Sequence, residues 1–356
     1  MMNSERKIVF VLNTIGAGGI ARVVTTFANQ IAALGKYEVF LVVMHKKQSL
    51  YELHPSIQVI QNQAQRKPGG KLGYILNAAI FIRKTIKQIG NCTVIVNGEW
   101  LNSFVYLCLK GLVNDVYLAD HSNPQRSGQS PFPLIDGWVY PRVKGVLVLS
   151  EAAKQKVAKL YGQKNILVLD NPVLFPEKLE LPRKQAIICM GRLSREKGQD
   201  VLLKAFAKTN NNWELWFLGD GPIKGELEAL AVTEGVADRV VFLGMQQNTA
   251  LYLNQASIYV MPSLTENFPM ALIEAMSIGL PCIATNCMPW RKDDDFIKDG
   301  INGIKVPVGN PEILATAIDA LVYDEQLRAL IGQNAANIKQ QFDIDKTVKK
   351  FIAYVI

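Results

Sequence analysis

The sequence has little that would anchor it in a membrane or hold it together outside a cell. No stretch approaches about 18 uninterrupted apolar residues, so no transmembrane helix is expected. The start of the chain, Met1–Lys7, is polar, and the apolar run Ile8–Leu12 is too short for a signal core. Cysteine is sparse: Cys92, Cys108, Cys189, Cys282 and Cys287 are scattered, and most sit inside apolar runs. An odd number without metal spacing points to reduced thiols and a cytosolic setting, and no chemistry is assigned to them. Histidine is scarcer still, with His45, His54 and His121 only.

What is present is a globular composition. Of 356 residues, 49% are hydrophobic and 20% charged, which suits two domains better than one. The net charge of +8 is unevenly spread. Residues 1–170 hold 20 Lys and Arg against 9 Asp and Glu, whereas residues 171–356 hold 19 against 22. An anionic partner is therefore expected for the first half alone. Nucleic acid and an anionic membrane surface both fit the sign. No nucleic-acid recognition motif accompanies the charge, so nucleic acid is set aside.

Apolar strands alternate with amphipathic helices along the first half. Strands are expected at Lys7–Leu12, Glu38–Met44, Thr93–Asn97, Val116–Ala119, Gly145–Leu149 and Ile166–Leu169. Helices are expected at about 20–34, 72–89, 101–112 and, capped by Ser150, to Tyr161. Pro172, Pro176 and Pro182 then mark 171–183 as a linker. The alternation restarts with strands at Gln185–Met190, Trp213–Leu218, Val240–Leu243, Ser257–Met261 and Pro281–Thr285. Helices are expected between these strands, then at 311–322, 325–340 and 344–354. This predicts an α/β protein of two doubly wound Rossmann-like domains facing a cleft. The boundaries are 1–170, the linker 171–183, and 184–341, with a C-terminal helix of about 342–356 packing back on the first domain. Ligands in such sheets bind at the carboxyl ends of strands.

Three strand-to-helix turns hold the residues suited to chemistry. The first, Asn13 to Gly19, brings Gly16, Gly18 and Gly19 to a helix start, where backbone N–H groups suit a phosphate or a sugar. It is not a dinucleotide fingerprint: the third glycine position is Arg22, and the second strand runs into Val43-Met44-His45 without a ribose-binding acid. The second turn, Gly191-Arg192-Leu193-Ser194-Arg195-Glu196-Lys197-Gly198, sets a guanidinium and an ammonium where a diphosphate would sit. The third follows the strand ending at Met261. Glu266 lies in its loop, and Glu274 lies eight residues on, about two turns into the next helix. The two carboxylates suit a sugar and a ribose diol, and free N–H groups near Phe268 and Met270 suit phosphates. A helix so rich in Ala, Leu, Ile and Met should not bury Glu274 without a partner. Asp293-Asp294-Asp295 lies in a loop with no His or Cys nearby, and no metal site is expected there.

Taken in order, these elements resemble the retaining glycosyltransferase family 4, of the GT-B class. The resemblance covers nearly the whole chain. Gly18-Gly19-Ile20-Ala21-Arg22-Val23 is similar to the family's opening. Gly191-Arg192-Leu193, Lys197-Gly198, Gly219-Asp220-Gly221-Pro222 and the pair Glu266 and Glu274, ending Glu274-Ala275-Met276, follow at the family's spacing. The resemblance implies that Arg192 and Lys197 bind the donor diphosphate, that Glu274 holds the ribose, and that Glu266 contacts the donor sugar. It implies that His121, in Asp120-His121-Ser122-Asn123, lies near that sugar. Gly16, Gly18, Gly19, Gly191, Asn267, Phe268, Pro269 and Met270 join the donor-binding set. It further implies metal-independent transfer without a cofactor, from a nucleotide sugar (UDP-linked by family habit) to a glycan or lipid-linked acceptor. Two departures border the donor. Asn267 stands where the family usually has glycine, and Asn286-Cys287-Met288-Pro289-Trp290-Arg291-Lys292 replaces a glycine-rich segment.

The basic half has a candidate surface. Arg66, Lys67, Lys71, Arg83, Lys84 and Lys87 lie on or before the 72–89 helix, beside Leu72, Ile75, Leu76, Ala79, Ile82 and Ile86. Such a helix can lie on an anionic bilayer at about 1 kcal/mol per cation near the surface. This makes the expected setting the cytoplasm, peripheral at the inner face of the cell membrane. A non-catalytic nucleotide-binding protein or a nucleotide-sugar epimerase of the same fold is the alternative at this stage.

Overall fold

The computed structural model describes residues 6–16, 18–64, 71–121, 133–288 and 295–356. It divides into two compact units, Met1–Pro172 with Ile344–Ile356, and Val173–Asp343. Each is built on one wholly parallel sheet.

In the first unit the sheet has seven strands. They are β1 (Arg6–Leu12), β2 (Tyr37–Val43), β3 (Gln58–Gln61), β4 (Thr93–Asn97), β5 (Val116–Asp120), β6 (Gly145–Val148) and β7 (Ile166–Val168), in the order β3-β2-β1-β4-β5-β6-β7. The inner strands are apolar on both faces because helices cover both. On one face, Val9, Val11, Val94 and Val96 pack under α2 (Lys71–Ile89), α3 (Glu99–Leu109), α4 (Pro133–Val139) and α5 (Glu151–Tyr161). On the other, Ile8, Phe10 and Leu12 pack under α1 (Gly19–Ala33) and the last helix of the chain, Ile344–Val355. Val348, Phe351 and Val355 of that last helix are buried, and Phe351 stacks on Phe27 at 4.6 Å. Its Tyr354 hydroxyl donates to the Asn165 carbonyl at 2.8 Å and accepts from the Val146 N–H at 3.1 Å. A Cβ at Gly145 would fall 2.2 Å from that hydroxyl, so glycine is what lets the helix dock.

Strand order reverses between β1 and β4, whose ends pair Leu12 with Asn97. That switch point opens the carboxyl edge of the sheet for a ligand. Gly18 (φ 150°) and Gly98 (φ 137°) stand at the helix starts on either side of it, in backbone conformations that favour glycine. Gly19 has open space where a Cβ would be, and Gly16 faces the flexible Lys47 side chain, with the Thr14 hydroxyl at 3.5 Å. Ala17, between them, lies outside the described residues.

The second unit has a six-stranded sheet: β8 (Ala186–Met190), β9 (Glu214–Leu218), β10 (Val240–Gly244), β11 (Ile258–Met261), β12 (Cys282–Thr285) and β13 (Ile304–Val306), in the order β10-β9-β8-β11-β12-β13. Its helices are α6 (Gln199–Lys208), α7 (Lys224–Thr233), α8 (Thr249–Gln255), α9 (Met270–Ser277), α10 (Pro311–Tyr323) and α11 (Glu325–Ala335). Residues 171–183 carry no regular secondary structure. Asn254 of α8 straps part of this segment by accepting from the Leu179 N–H and donating to the Glu177 carbonyl. All five cysteines are buried free thiols. Loss of hydration pushes Cys92, Cys108 and Cys287 to about 11 and Cys189 to about 12, which keeps them protonated and inert.

The basic helix needs correcting. Ala78, Ile82, Thr85 and Ile86 of α2 are buried in the core, so Ile82 and Ile86 do not face a membrane. The outward face carries Leu76 and Ile80, at 57% and 65% exposure, followed by Lys84 and Lys87. Arg83 is partly engaged: its guanidinium donates to the Cys108 carbonyl at 2.6 Å, at the end of α3. Arg66 and Lys67 lie outside the described residues, as do the side chains of Lys71 and Leu72. The helix expected over 325–340 is also broken. Its α-helical part ends at Ala335, and a 3-10 segment runs over Ala336–Gln341.

Candidate active site

In the second unit, β8 and β11 are neighbours at the strand-order reversal, and the loops leaving them are stitched together. The β8 loop turns at Gly191 (φ 152°). A Cβ at Gly219 would meet the Gly191 carbonyl at 2.0 Å, and one at Gly221 would meet the Leu193 carbonyl at 2.1 Å. The Gly219-Asp220-Gly221 turn therefore lies directly on the β8 loop, and the Leu193 N–H donates to the Asp220 carbonyl at 3.0 Å. Gln199 reaches back to the Arg192 carbonyl at 2.8 Å. These contacts fix the backbone of Arg192 while its side chain stays exposed.

A single 3-10 turn, Arg195–Lys197, ends at Gly198 with φ 64°. Gly198 lies against the end of β11, where a Cβ would sit 2.2 Å from the Pro262 carbonyl. The Leu264 N–H donates to the Glu196 carbonyl at 2.9 Å and ties the two loops across. The consequence is the central contact of the site: the Lys197 ammonium lies 2.5 Å from Glu266 Oε1. Ser263 donates to the same oxygen at 2.8 Å, and Thr285 at the end of β12 donates to the Ser263 carbonyl at 2.5 Å. Lys197 and Glu266 keep 29% and 11% of their side-chain exposure, so the pair is shielded but reachable.

Because Gly198 combines a left-handed backbone with that close approach, Gly198→Ala should destabilise the protein by more than about 1–3 kcal/mol, the ordinary cost of a residue forced into such a conformation. Chemical denaturation of the variant measures it. An unchanged midpoint would mean the loops are not packed as described.

Glu274 is the fifth residue of α9, little more than one turn in, rather than two turns as the spacing suggested. It is 0% exposed in a helix whose other residues are Met, Ala, Leu and Ile apart from the terminal Ser277. Burial is the first reason that the Tyr259 phenol on β11 lies well above the usual range, and the carboxylates of Glu266 and Glu274 are among the groups that raise it further. Both carboxylates thus bear on one buried side chain. Glu196 is held below the usual carboxylate range: burial opposes this, but the Ser194 hydroxyl, its own N–H, Lys197 and Arg192 together win. Arg192 and Lys197 therefore act in the same neighbourhood.

One expectation for the loop before α9 changes. The Met270 N–H is already used, donating to the Phe268 carbonyl at 3.0 Å. The Phe268 ring packs edge-on against Phe296 and Phe342 at 5.4 and 5.8 Å, anchoring the loop. Asn267 is half-buried, and Pro269 stands at the helix start with its carbonyl accepting from Ile273 at 3.1 Å. Of the other segments singled out, Asp295 pairs with Lys305, while Asp293, Asp294 and Pro289 to Lys292 lie outside the described residues. Among the described residues no group of three or more His, Cys, Asp or Glu side chains could hold a metal ion.

His121 belongs to the first unit, just past β5. Its Nε2 lies 3.3 Å from the Asn97 Oδ1 at the end of β4, and burial pushes its pKa down to about 4. It is therefore neutral at physiological pH. Ser122 and Asn123 lie outside the described residues. Sequence reasoning missed Ser263, Thr285 and Asn97, all small polar residues at strand ends. Their only signal was position, immediately after an apolar run.

Two family models match the chain nearly end to end. The one described as Glycosyltransferase Family 4 covers residues 17–173, and the one described as Glycosyl transferases group 1 covers residues 171–338. The chain belongs to glycosyltransferase family 4. This glycosyltransferase is similar to an uncharacterized glycosyltransferase of Haemophilus influenzae, at 27% identity over 96% of this chain and 97% of the relative. It is also similar, at 23% identity over 98% of each chain, to a Campylobacter jejuni enzyme. That enzyme is a GalNAc-α-(1→4)-GalNAc-α-(1→3)-diNAcBac-PP-undecaprenol α-1,4-N-acetyl-D-galactosaminyltransferase. Among solved structures, Anabaena Alr3699/HepE in complex with UDP and glucose superposes with a TM-score of 0.79 over 98% of each chain, at 19% identity. The two parallel sheets of the glycosyltransferase are thus those of the GT-B fold.

Proposed function

We propose that this glycosyltransferase moves a hexose or N-acetylhexosamine from a UDP-linked donor to a glycan or lipid-linked oligosaccharide, with retention and without a metal or cofactor. The observation that carries this is the Lys197–Glu266 contact at the β8–β11 switch point, with the buried Glu274 acting on the same Tyr259 side chain as Glu266. An ammonium has three donors and no acceptor, so Lys197 can keep Glu266 while donating to a phosphate oxygen. With Arg192 it would neutralise the charge that grows on the leaving diphosphate as the glycosidic bond breaks. Glu274 would accept from the ribose hydroxyls. Glu266 Oε1 is committed to Lys197 and Ser263, and a carboxylate so held is a poor nucleophile but a good acceptor for sugar hydroxyls. Retention would then come from attack on the donor's front face, guided by the departing phosphate oxygen.

The UDP donor is supported by the UDP and glucose reported with the Anabaena protein. The undecaprenol-linked acceptor in the name of the Campylobacter relative supports a glycan on a lipid carrier. The direct experiment is a hydrolysis screen of nucleotide sugars, reading released UDP or GDP. Slow release of UDP from one sugar is expected, accelerated by the right acceptor. No turnover of any nucleotide sugar would defeat the reading.

A lipid-linked acceptor also gives the basic first unit a use. Leu76, Ile80, Lys84 and Lys87 form one outward stripe of α2, two apolar residues followed by two cations, and this suits an anionic bilayer. Reversing two charges at about 1 kcal/mol per cation near the surface should weaken vesicle binding by well over tenfold. Cosedimentation of K84E/K87E with vesicles containing phosphatidylserine measures this. Binding unaffected by the reversal would count against the surface.

A further inference from the structure

His121 is set by a partner that the family motifs do not mark. Asn97 is 4% exposed at the end of β4. Its amide nitrogen donates to the Ile95 carbonyl at 3.2 Å and points toward the Val11 carbonyl at 3.5 Å. Carbonyl oxygens only accept, so this side of the amide must be nitrogen. The Oδ1 atom is thereby turned to His121 Nε2, 3.3 Å away. An amide oxygen is also only an acceptor, and the ring nitrogen facing it must carry the proton.

We propose that Asn97 is a positioning residue that holds His121 as the neutral Nε2–H tautomer, with the acceptor lone pair on Nδ1. The backbone of β1 and β4 orients the amide, the amide orients the proton, and the imidazole is presented as a hydrogen-bond acceptor rather than a cation. The environment supports a neutral ring. Phe10, Phe27, Leu147 and Phe351 line the cavity beneath it, beside Asn97, with Asp120 and Asp170 as the acidic groups around that cavity. Despite those two acids, burial holds the ring's pKa near 4. A neutral acceptor suits a sugar hydroxyl, and a cation there would suit a phosphate instead. Only the kinetic consequence rests on the proposed transferase reading; the tautomer is a property of the chain alone.

The test is long-range 1H–15N NMR on full-length protein labelled at histidine, with the His121 signals assigned from their loss in His121→Gln. Wild type should show protonated Nε2, unprotonated Nδ1 and no ring titration between pH 5 and pH 8. Asn97→Leu should shift the tautomer ratio toward Nδ1–H by about fivefold, the worth of one net hydrogen bond. Asn97→Asp keeps an acceptor but adds a charge beside the ring, and should raise the His121 pKa by about 1–3 units. A wild-type ring protonated at Nδ1, or titrating near its ordinary value, would overturn the proposal even if neither variant folds. So would folded variants with the wild-type tautomer and pKa. If the NMR results hold but neither variant changes the donor KM or kcat, the positioning stands and the transferase role of His121 falls.

Discussion

Lys197→Ala is expected to lower kcat for sugar transfer by about 100- to 1000-fold, the usual cost of removing one preorganised donor to a developing oxyanion. The Lys197 side chain is 29% exposed and ends a single 3-10 turn, so the fold should tolerate its loss. Glu266 keeps the Ser263 hydroxyl as a donor in the variant, which limits the penalty of leaving its carboxylate alone. Lys197→Arg is the informative control. It keeps the charge but changes a compact ammonium to a planar fork at a 2.5 Å contact, and it should recover only part of the rate. Steady-state kinetics with a saturating acceptor, beside a melting curve, separate chemistry from folding. A variant with wild-type kcat would remove Lys197 from the reaction.

Glu274→Gln should weaken UDP binding by about 10- to 100-fold, since it replaces charge-assisted hydrogen bonds, each stronger by about 1 kcal/mol than neutral ones, at both ribose hydroxyls. The substitution keeps the shape of a side chain that has no exposure, so cooperative unfolding should persist. The two halves of this expectation belong together. A carboxylate with 0% exposure in an apolar helix is costly to bury, and a purely structural role would show mainly in stability. A large fall in melting temperature with unchanged UDP affinity would assign Glu274 to the core instead.

Much of the architecture was written in local periodicity. Strands such as β1, β4 and β8 are continuous apolar runs, and they are legible because both faces of a parallel sheet are buried. Ser150 was readable as a helix cap, and its hydroxyl does accept from the Ala153 N–H. What escaped was short or peripheral. Gln58–Gln61 and Ile304–Val306 are four- and three-residue edge strands, too brief to carry a pattern. Pro133–Val139 is a seven-residue helix interrupted by Gly137, which weakens its signal.

The α2 face was misread for a different reason. Ile82 and Ile86 fit an amphipathic stripe equally well whether it meets a bilayer or a core, and periodicity does not say which side is which. At the site, Lys197, Glu266 and Glu274 were recognisable by type and spacing. Their contact was not, because it depends on Gly198 lying against Pro262, a close approach between residues 64 positions apart. Asn97, Ser263 and Thr285 were invisible for the same reason: their roles are set by neighbouring strands.

The most direct measurement is calorimetric titration of the full chain with UDP, UMP and uridine, repeated on Lys197→Ala. UDP should bind at least about tenfold more tightly than UMP, the worth of one charge-assisted hydrogen bond to the second phosphate. Lys197→Ala should erase that difference while leaving uridine binding unchanged. Equal affinities for all three, or a preference for UDP that survives loss of the lysine, would contradict a diphosphate held at the β8–β11 switch point.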